Sequence, residues 1–161
     1  MEIERKFCIN AKPEQLDQYG KKEIEQGYLC TDPVVRIRKS NEDYYLTYKS
    51  RLNRKENKEE TALICEEVEL PLSEEAYLHL REKADGHRIT KTRYLIPMGE
   101  YVAELDVFHG CLEGLVFVEV EFPDEEKAAA FQPPEWFGKD VSFDKRYKNN
   151  YLATLNSLEE F

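Results

Sequence analysis

Alternation of period two dominates the chain from its first residues. In Glu2-Ile3-Glu4-Arg5-Lys6-Phe7, the residues Glu2, Glu4 and Lys6 alternate with Ile3, Arg5 and Phe7. Successive side chains of a strand point to opposite faces, so the two carboxylates and the ammonium share one face, while Arg5 points away and should tolerate substitution. The same period predicts seven further strands: Ile24 to Cys30, Val34 to Lys39, Tyr44 to Ser50, Thr61 to Leu70, His87 to Ile96, one carrying Glu104 and Asp106 after Pro97-Met98-Gly99, and Leu115 to Phe122. Helical spacing is rarer. Pro13 at a first-turn position predicts a short helix with Leu16 and Tyr19 inward, ended by Gly20. Ser73 opens a second helix, in which Glu74 and Glu75 suit the positive N-terminal end, Ala76, Tyr77, Leu80 and Ala84 form an apolar stripe, and Asp85-Gly86 is the stop. A third helix runs from Asp124 through Phe131, broken by Pro133-Pro134, and a last one from about Asp144 to Leu155.

The strands carry charges in an unusual arrangement. Arg36 and Arg38 share a face, as do Glu67 with Glu69, Lys91 with Arg93, Glu104 with Asp106, and Glu119 with Glu121; Lys49 is in phase with Tyr45 and Thr47. Two like charges 6 to 7 Å apart on one strand repel by roughly 2 to 3 kcal/mol at an effective dielectric of ~20. On one strand this reads as a solvated surface, but solvated faces ordinarily mix signs, and here six strands do not. The opposite faces are apolar and need cover. Eight antiparallel strands can close into a barrel that holds a small ligand. The sequence therefore predicts a mainly β fold with flanking helices, an eight-stranded antiparallel closed β-barrel turned inside out into a charged tunnel, with a C-terminal helix at one end. Several carboxylates suit Mg²⁺ or Mn²⁺, and the Arg and Lys set suits phosphate oxygens.

Composition narrows the partners. The 161 residues read as one domain over 1–161, with 41% hydrophobic and 35% charged residues. A net charge of -10 argues against a duplex nucleic acid but not against a small polyanion met by a local basic field. No apolar run approaches the length of a membrane span and no signal peptide opens the chain, so a cytoplasmic location is expected. Cys8, Cys30, Cys65 and Cys111 lie far apart, without metal-ligand spacing, and His79, His87 and His109 are scattered. The almost wholly polar run from Arg51 to Glu60 reads as a mobile solvated loop, with a lid over a charged site as the functional alternative. Gly-rich phosphate loops and a Gly-x-Ser-x-Gly elbow are absent.

The opening Glu2-x-Glu4-x-Lys6 resembles the signature of the CYTH domain, the triphosphate tunnel metalloenzyme family, and the resemblance continues through Gln26-Gly27-Tyr28-Leu29, Val35-Arg36-Ile37-Arg38, Thr47-Tyr48-Lys49, Glu67-Val68-Glu69, Lys91-Thr92-Arg93-Tyr94, Glu104-Leu105-Asp106-Val107, Val118-Glu119-Val120-Glu121 and Asp144-Lys145-Arg146-Tyr147. It implies a tunnel that binds a triphosphate and a divalent metal, with Glu2, Glu4, Asp106, Glu119 and Glu121 at metal positions. Lys6 with Tyr28 would be a catalytic dyad, Arg36, Arg38, Lys49, Lys91, Arg93, Arg146 and Lys148 would bind substrate, and Glu67, Glu69 and Glu104 would be supporting acids. The implied activity is metal-dependent hydrolysis of a terminal phosphate, above all from inorganic tripolyphosphate. Adenylate cyclase, nucleoside or thiamine triphosphatase, and a non-catalytic polyphosphate or nucleotide-binding module are the alternatives.

Overall fold

The computed structural model describes residues 1–51 and 61–161. The expected loop at 51–60 falls, from 52 onward, outside the described residues. The strands are β1 (Glu2–Ile9), β2 (Gly20–Thr31), β3 (Val34–Ser40), β4 (Asp43–Ser50), β5 (Leu63–Pro71), β6 (Asp85–Met98), β7 (Tyr101–Phe108), β8 (Val116–Glu121) and β9 (Phe137–Asp140), and the helices are α1 (Glu74–Arg81), α2 (Glu125–Ala130) and α3 (Asn149–Leu152).

Eight of the strands close on themselves in the order β1, β5, β4, β3, β2, β6, β7, β8, all neighbours antiparallel. Closure falls on β1. One edge pairs with β8, Lys6 opposite Glu119. The other is divided: Glu2 lies opposite Cys65 and Glu4 opposite Leu63 of β5, whereas Phe7 and Ile9 pair with β9. Closure removes the edges on which an open sheet aggregates.

The alternation in the sequence becomes an inside and an outside. Ile3, Phe7, Ile96, Ala103, Leu105, Val118 and Val120 point outward into a buried apolar shell with Phe122, Ala128 of α2 and Phe137 of β9. On the opposite side of the barrel α1 packs over β3 and β4, its Tyr77 ring 5.2 Å from Tyr44, and its Ser73 cap accepts a hydrogen bond from the Ala76 N–H at 3.1 Å. A second apolar cluster lies on the inner face at one end: Tyr28, Ile89, Phe108 and Phe117, with Leu112, Leu115, Leu152 and Leu155, form a floor beneath the charged lumen.

Four features depart from the sequence reading. The helix expected before Gly20 is a single tight turn, Leu16–Gln18. The helix stop at Asp85 comes later than the observed end of α1 at Arg81, and Asp85 instead begins β6. The helix expected from Asp144 to Leu155 is broken into a turn at Lys145–Tyr147 and the one-turn α3, separated by Lys148 with extended backbone (φ -78°, ψ 133°). A tertiary contact accompanies the break: the Tyr147 carbonyl, which a continuous helix would spend on the Tyr151 N–H, accepts from Lys6 Nζ at 2.6 Å, and the Tyr151 N–H bonds Lys148 O instead. Finally, β9 was not predicted. Its backbone runs so close to β1 that a Cβ on Gly138 would lie 3.3 Å from the Cys8 backbone.

Candidate functional site

The lumen above the floor is built by inward residues of all eight barrel strands. β1 supplies Glu2, Glu4 and Lys6, of which Lys6 is buried and the two acids half-buried. Lys49 of β4 reaches across β5 to form ion pairs with Glu2 and, at 3.9 Å, with Glu4. Burial alone would pull the Lys49 ammonium down, but Glu4 and Glu2 hold it well above the ordinary lysine range. Arg36 and Arg38 of β3 are both buried. Arg38 Nε donates to Gln26 Oε1 at 2.8 Å, and burial with the neighbouring Arg36 and Arg93 lowers its guanidinium to about 10. Arg36 donates to Thr47 Oγ1 at 3.2 Å, while its Nε is buried without a hydrogen-bond partner among the described residues. A buried donor left unpaired costs about 1 to 3 kcal/mol, so this one points to a missing acceptor.

Beyond β2 from the β3 arginines stands an interlocked group from β6 and β7. Asp106, fully buried, accepts from Arg93 at 2.7 and 2.9 Å and from Lys91 at 2.8 Å. Each of its oxygens thus already meets a cationic side chain; the sequence reading expected it among the metal ligands. Burial would raise its carboxyl, but Arg93 and Lys91 keep it lowered. Arg93 also pairs with Glu104 at 2.7 Å. Lys91 is 1% exposed and bonds in addition to Asn149 Oδ1 at 3.2 Å. Sequence reasoning did not single out Asn149, because an amide in a short C-terminal turn carries no pattern that distinguishes it.

The acids of β1 and β8 repel one another. Burial and then Glu119 raise the Glu4 carboxyl well above its ordinary value. Burial acts on Glu119 as well, but Lys6, Arg93 and Lys91 outweigh it and hold that carboxyl well below. Of the two, Glu4 is the member with fewer cations around it, and its carboxyl is the one pushed up. Glu2 is raised by burial and Glu67, Glu104 by burial and Glu119, and Glu121 by burial, Glu2 and Glu104. Glu69 accepts from Thr47 at 3.4 Å, and both it and Glu121 are exposed, toward the open end.

The expected Lys6 and Tyr28 pair is not drawn together by a hydrogen bond. Lys6 Nζ binds Tyr147 O, lies 3.5 Å from Glu119 and stands 4.5 Å over the Phe117 ring. The Tyr28 hydroxyl is bonded to Gln26 Nε2 at 3.2 Å, and the ring is part of the floor. Arg146 stands at the surface, paired with Asp144 at 2.8 Å. Lys148 is half-buried, and burial lowers its ammonium within the fields of Cys65, Arg51 and Lys6.

The donor set fits a hard divalent cation. Glu2, Glu4, Glu119 and Glu121 offer only carboxylate oxygens, and a cation would relieve the repulsion that raises three of them. Among the described residues no three acids converge on one point, and Lys49 lies between Glu2 and Glu4.

A closed antiparallel barrel whose lumen carries facing walls of carboxylates and of guanidinium and ammonium groups defines a protein that handles small polyanions together with cations. The chain belongs to the CYTH domain family, whose model matches residues 1–147. It is 40% identical over 157 residues to an inorganic triphosphatase of Nitrosomonas europaea, covering 94% of this chain and 96% of that protein, and 36% identical over 159 residues to an inorganic triphosphatase of Acetivibrio thermocellus, covering 94% and 92%. A crystal structure of an inorganic triphosphatase superposes with a TM-score of 0.69 at 37% identity, covering 98% of this chain and 97% of that one.

Proposed function

We propose that the chain is a divalent-cation-dependent triphosphatase that removes the terminal phosphate of inorganic tripolyphosphate, with Mg²⁺ or Mn²⁺ as the cation. The observation that carries this reading is the buried pairing of a basic wall and an acidic wall in one lumen, with Arg36 Nε lacking an acceptor among the described residues. A simple anion site needs bases alone. Here the acids are held in place at a cost that a cation bridging to phosphate would offset. The names of the two curated relatives point to the same substrate class.

In this reading Arg36, Arg38, Arg93 and Lys49 bind phosphate oxygens, and Glu2, Glu4, Glu119 and Glu121 hold the cation. An ion held by these carboxylates would supply positive charge against phosphate oxygens and would acidify water. Asp106 positions Arg93 and Lys91 instead of meeting the ion. Lys6 places a positive charge beside Glu119, where it can stabilise charge growing on the leaving oxygen. The floor of Tyr28, Phe108 and Phe117 keeps water from the lower end, so the substrate enters from the acidic rim. We read the protein as cytoplasmic, which the four free cysteines support.

Phosphate release from tripolyphosphate, ATP and thiamine triphosphate, each with Mg²⁺ or Mn²⁺, tests the proposal. Tripolyphosphate should be the best substrate, and Glu2→Gln should abolish cation-dependent turnover while leaving a folded protein. Near wild-type turnover in that variant removes the cation assignment; no release from any triphosphate overturns the hydrolase reading.

A further inference from the structure

Lys6 is the only lumen lysine whose ammonium is held by a main-chain carbonyl among the described residues. A carbonyl neutralises no charge, and Glu119 at 3.5 Å already does that. The contact with Tyr147 O at 2.6 Å therefore fixes direction: it chooses one arrangement of a four-carbon side chain that would otherwise sample many. That carbonyl lies where the C-terminal helix is interrupted at Lys148.

The carbonyl is in turn held by its own side chain. The Tyr147 hydroxyl accepts from Cys8 Sγ at 3.4 Å, and its ring meets Phe117 edge-on at 6.1 Å and Phe161 at 4.9 Å. Phe161 also lies under the Arg146 guanidinium at 5.2 Å and closes a final turn through its N–H to Leu158 O. Two further bonds pin this stretch: the His87 N–H to Ala153 O at 2.7 Å, and Asn156 Nδ2 to Glu160 Oε1 at 3.1 Å.

We propose that the segment from Lys145 to Phe161 is a strap that positions the Lys6 ammonium for the reaction, with Tyr147 and Phe161 as its positioning residues. The inference rests on the proposed role of Lys6 in phosphate release. Phe161 reaches Lys6 through Tyr147, so altering it should disturb Lys6 without removing any charged group of the lumen.

The test is Phe161→Ala in the full chain, with Phe161→Tyr as the conservative variant. Lysine acetylation by acetic anhydride, followed residue by residue by mass spectrometry, should show Lys6 labelling accelerated about tenfold in Phe161→Ala, Lys49 labelling unchanged, and the wild-type rate regained in Phe161→Tyr. The kcat for tripolyphosphate should fall about fivefold with KM within about twofold of wild type. Unchanged Lys6 labelling, or equal acceleration at Lys6 and Lys49, overturns the strap, the second because it reports general loosening. Selective exposure of Lys6 with kcat unchanged overturns the positioning role. If the wild-type protein releases no phosphate at all, the proposed function fails, while the labelling comparison still decides whether the strap holds Lys6.

Discussion

Arg5 shows how much one step of register decides. It is out of phase with Glu4 and Lys6 and points out of the lumen, as the alternation requires. It is nevertheless no spare surface charge. Its guanidinium bonds Asp140 of β9 at 3.0 Å and the Ala128 carbonyl of α2 at 2.9 Å, and it stands 4.9 Å from the Phe7 ring, with a side chain only 13% exposed. Tolerance of substitution, expected from the alternation alone, therefore applies to catalysis and not to stability. Arg5→Ala should lose about 1 to 3 kcal/mol in urea unfolding, with KM for tripolyphosphate unchanged in the folded protein. A stability equal to wild type would show that the tether contributes nothing. At this scale the sequence disclosed which way each side chain points, because parity along a strand is local. It did not disclose partners. That Asp106 serves Arg93 and Lys91, or that Arg38 turns to Gln26, depends on which strands become neighbours and in what register.

Among the elements, the eight barrel strands were legible because each carries its own alternation, whereas β9 and the C-terminal turns were not. β9 is four residues long, contains Gly138 and has no alternating pattern of its own, so its strand character comes entirely from lying against β1. The residues after Asp144 carry helical spacing, yet Lys6 claims a carbonyl in their midst, a tertiary contact overriding a local pattern. Gly86 shows the same dependence. Its φ of +66° suits glycine, and a Cβ there would lie 2.4 Å from Ala153 O, the carbonyl that receives the His87 N–H. Gly86→Ala should destabilise the protein by about 1 to 3 kcal/mol and speed amide exchange at His87 before that of the barrel strands. Retained protection at His87 would mean that the strap is anchored elsewhere.

For the molecule as a whole, the lumen stores unfavourable charge that a cation should release, and pH should expose it. Glu2, Glu4, Glu104 and Glu121 all have carboxyls raised by burial and by neighbouring carboxylates, so the folded protein keeps protons that the unfolded chain gives up at the ordinary value of 4.5. A group raised in this way contributes its stability fully below that value and loses it as pH climbs through the folded one. Asp106 and Glu119 are shifted the other way, and their contributions are complete above their ordinary values of 3.8 and 4.5. Above about pH 5, and below the range where the Lys91 ammonium, lowered by burial to about 7, begins to give up its proton and acts in the opposite sense, the raised carboxyls therefore act alone among the lumen acids, and the cation-free protein should lose thermal stability as pH rises. Saturating Mg²⁺ should flatten that slope, and its binding should release protons, measurable by calorimetry in two buffers of different ionisation enthalpy. Glu4→Gln should shrink both the slope and the proton release, because it removes a carboxyl that burial and Glu119 raise well above its ordinary value. A slope of opposite sign, or cation binding without proton release, would mean that the acids are already ionised and that the lumen is neutralised by its own arginines and lysines.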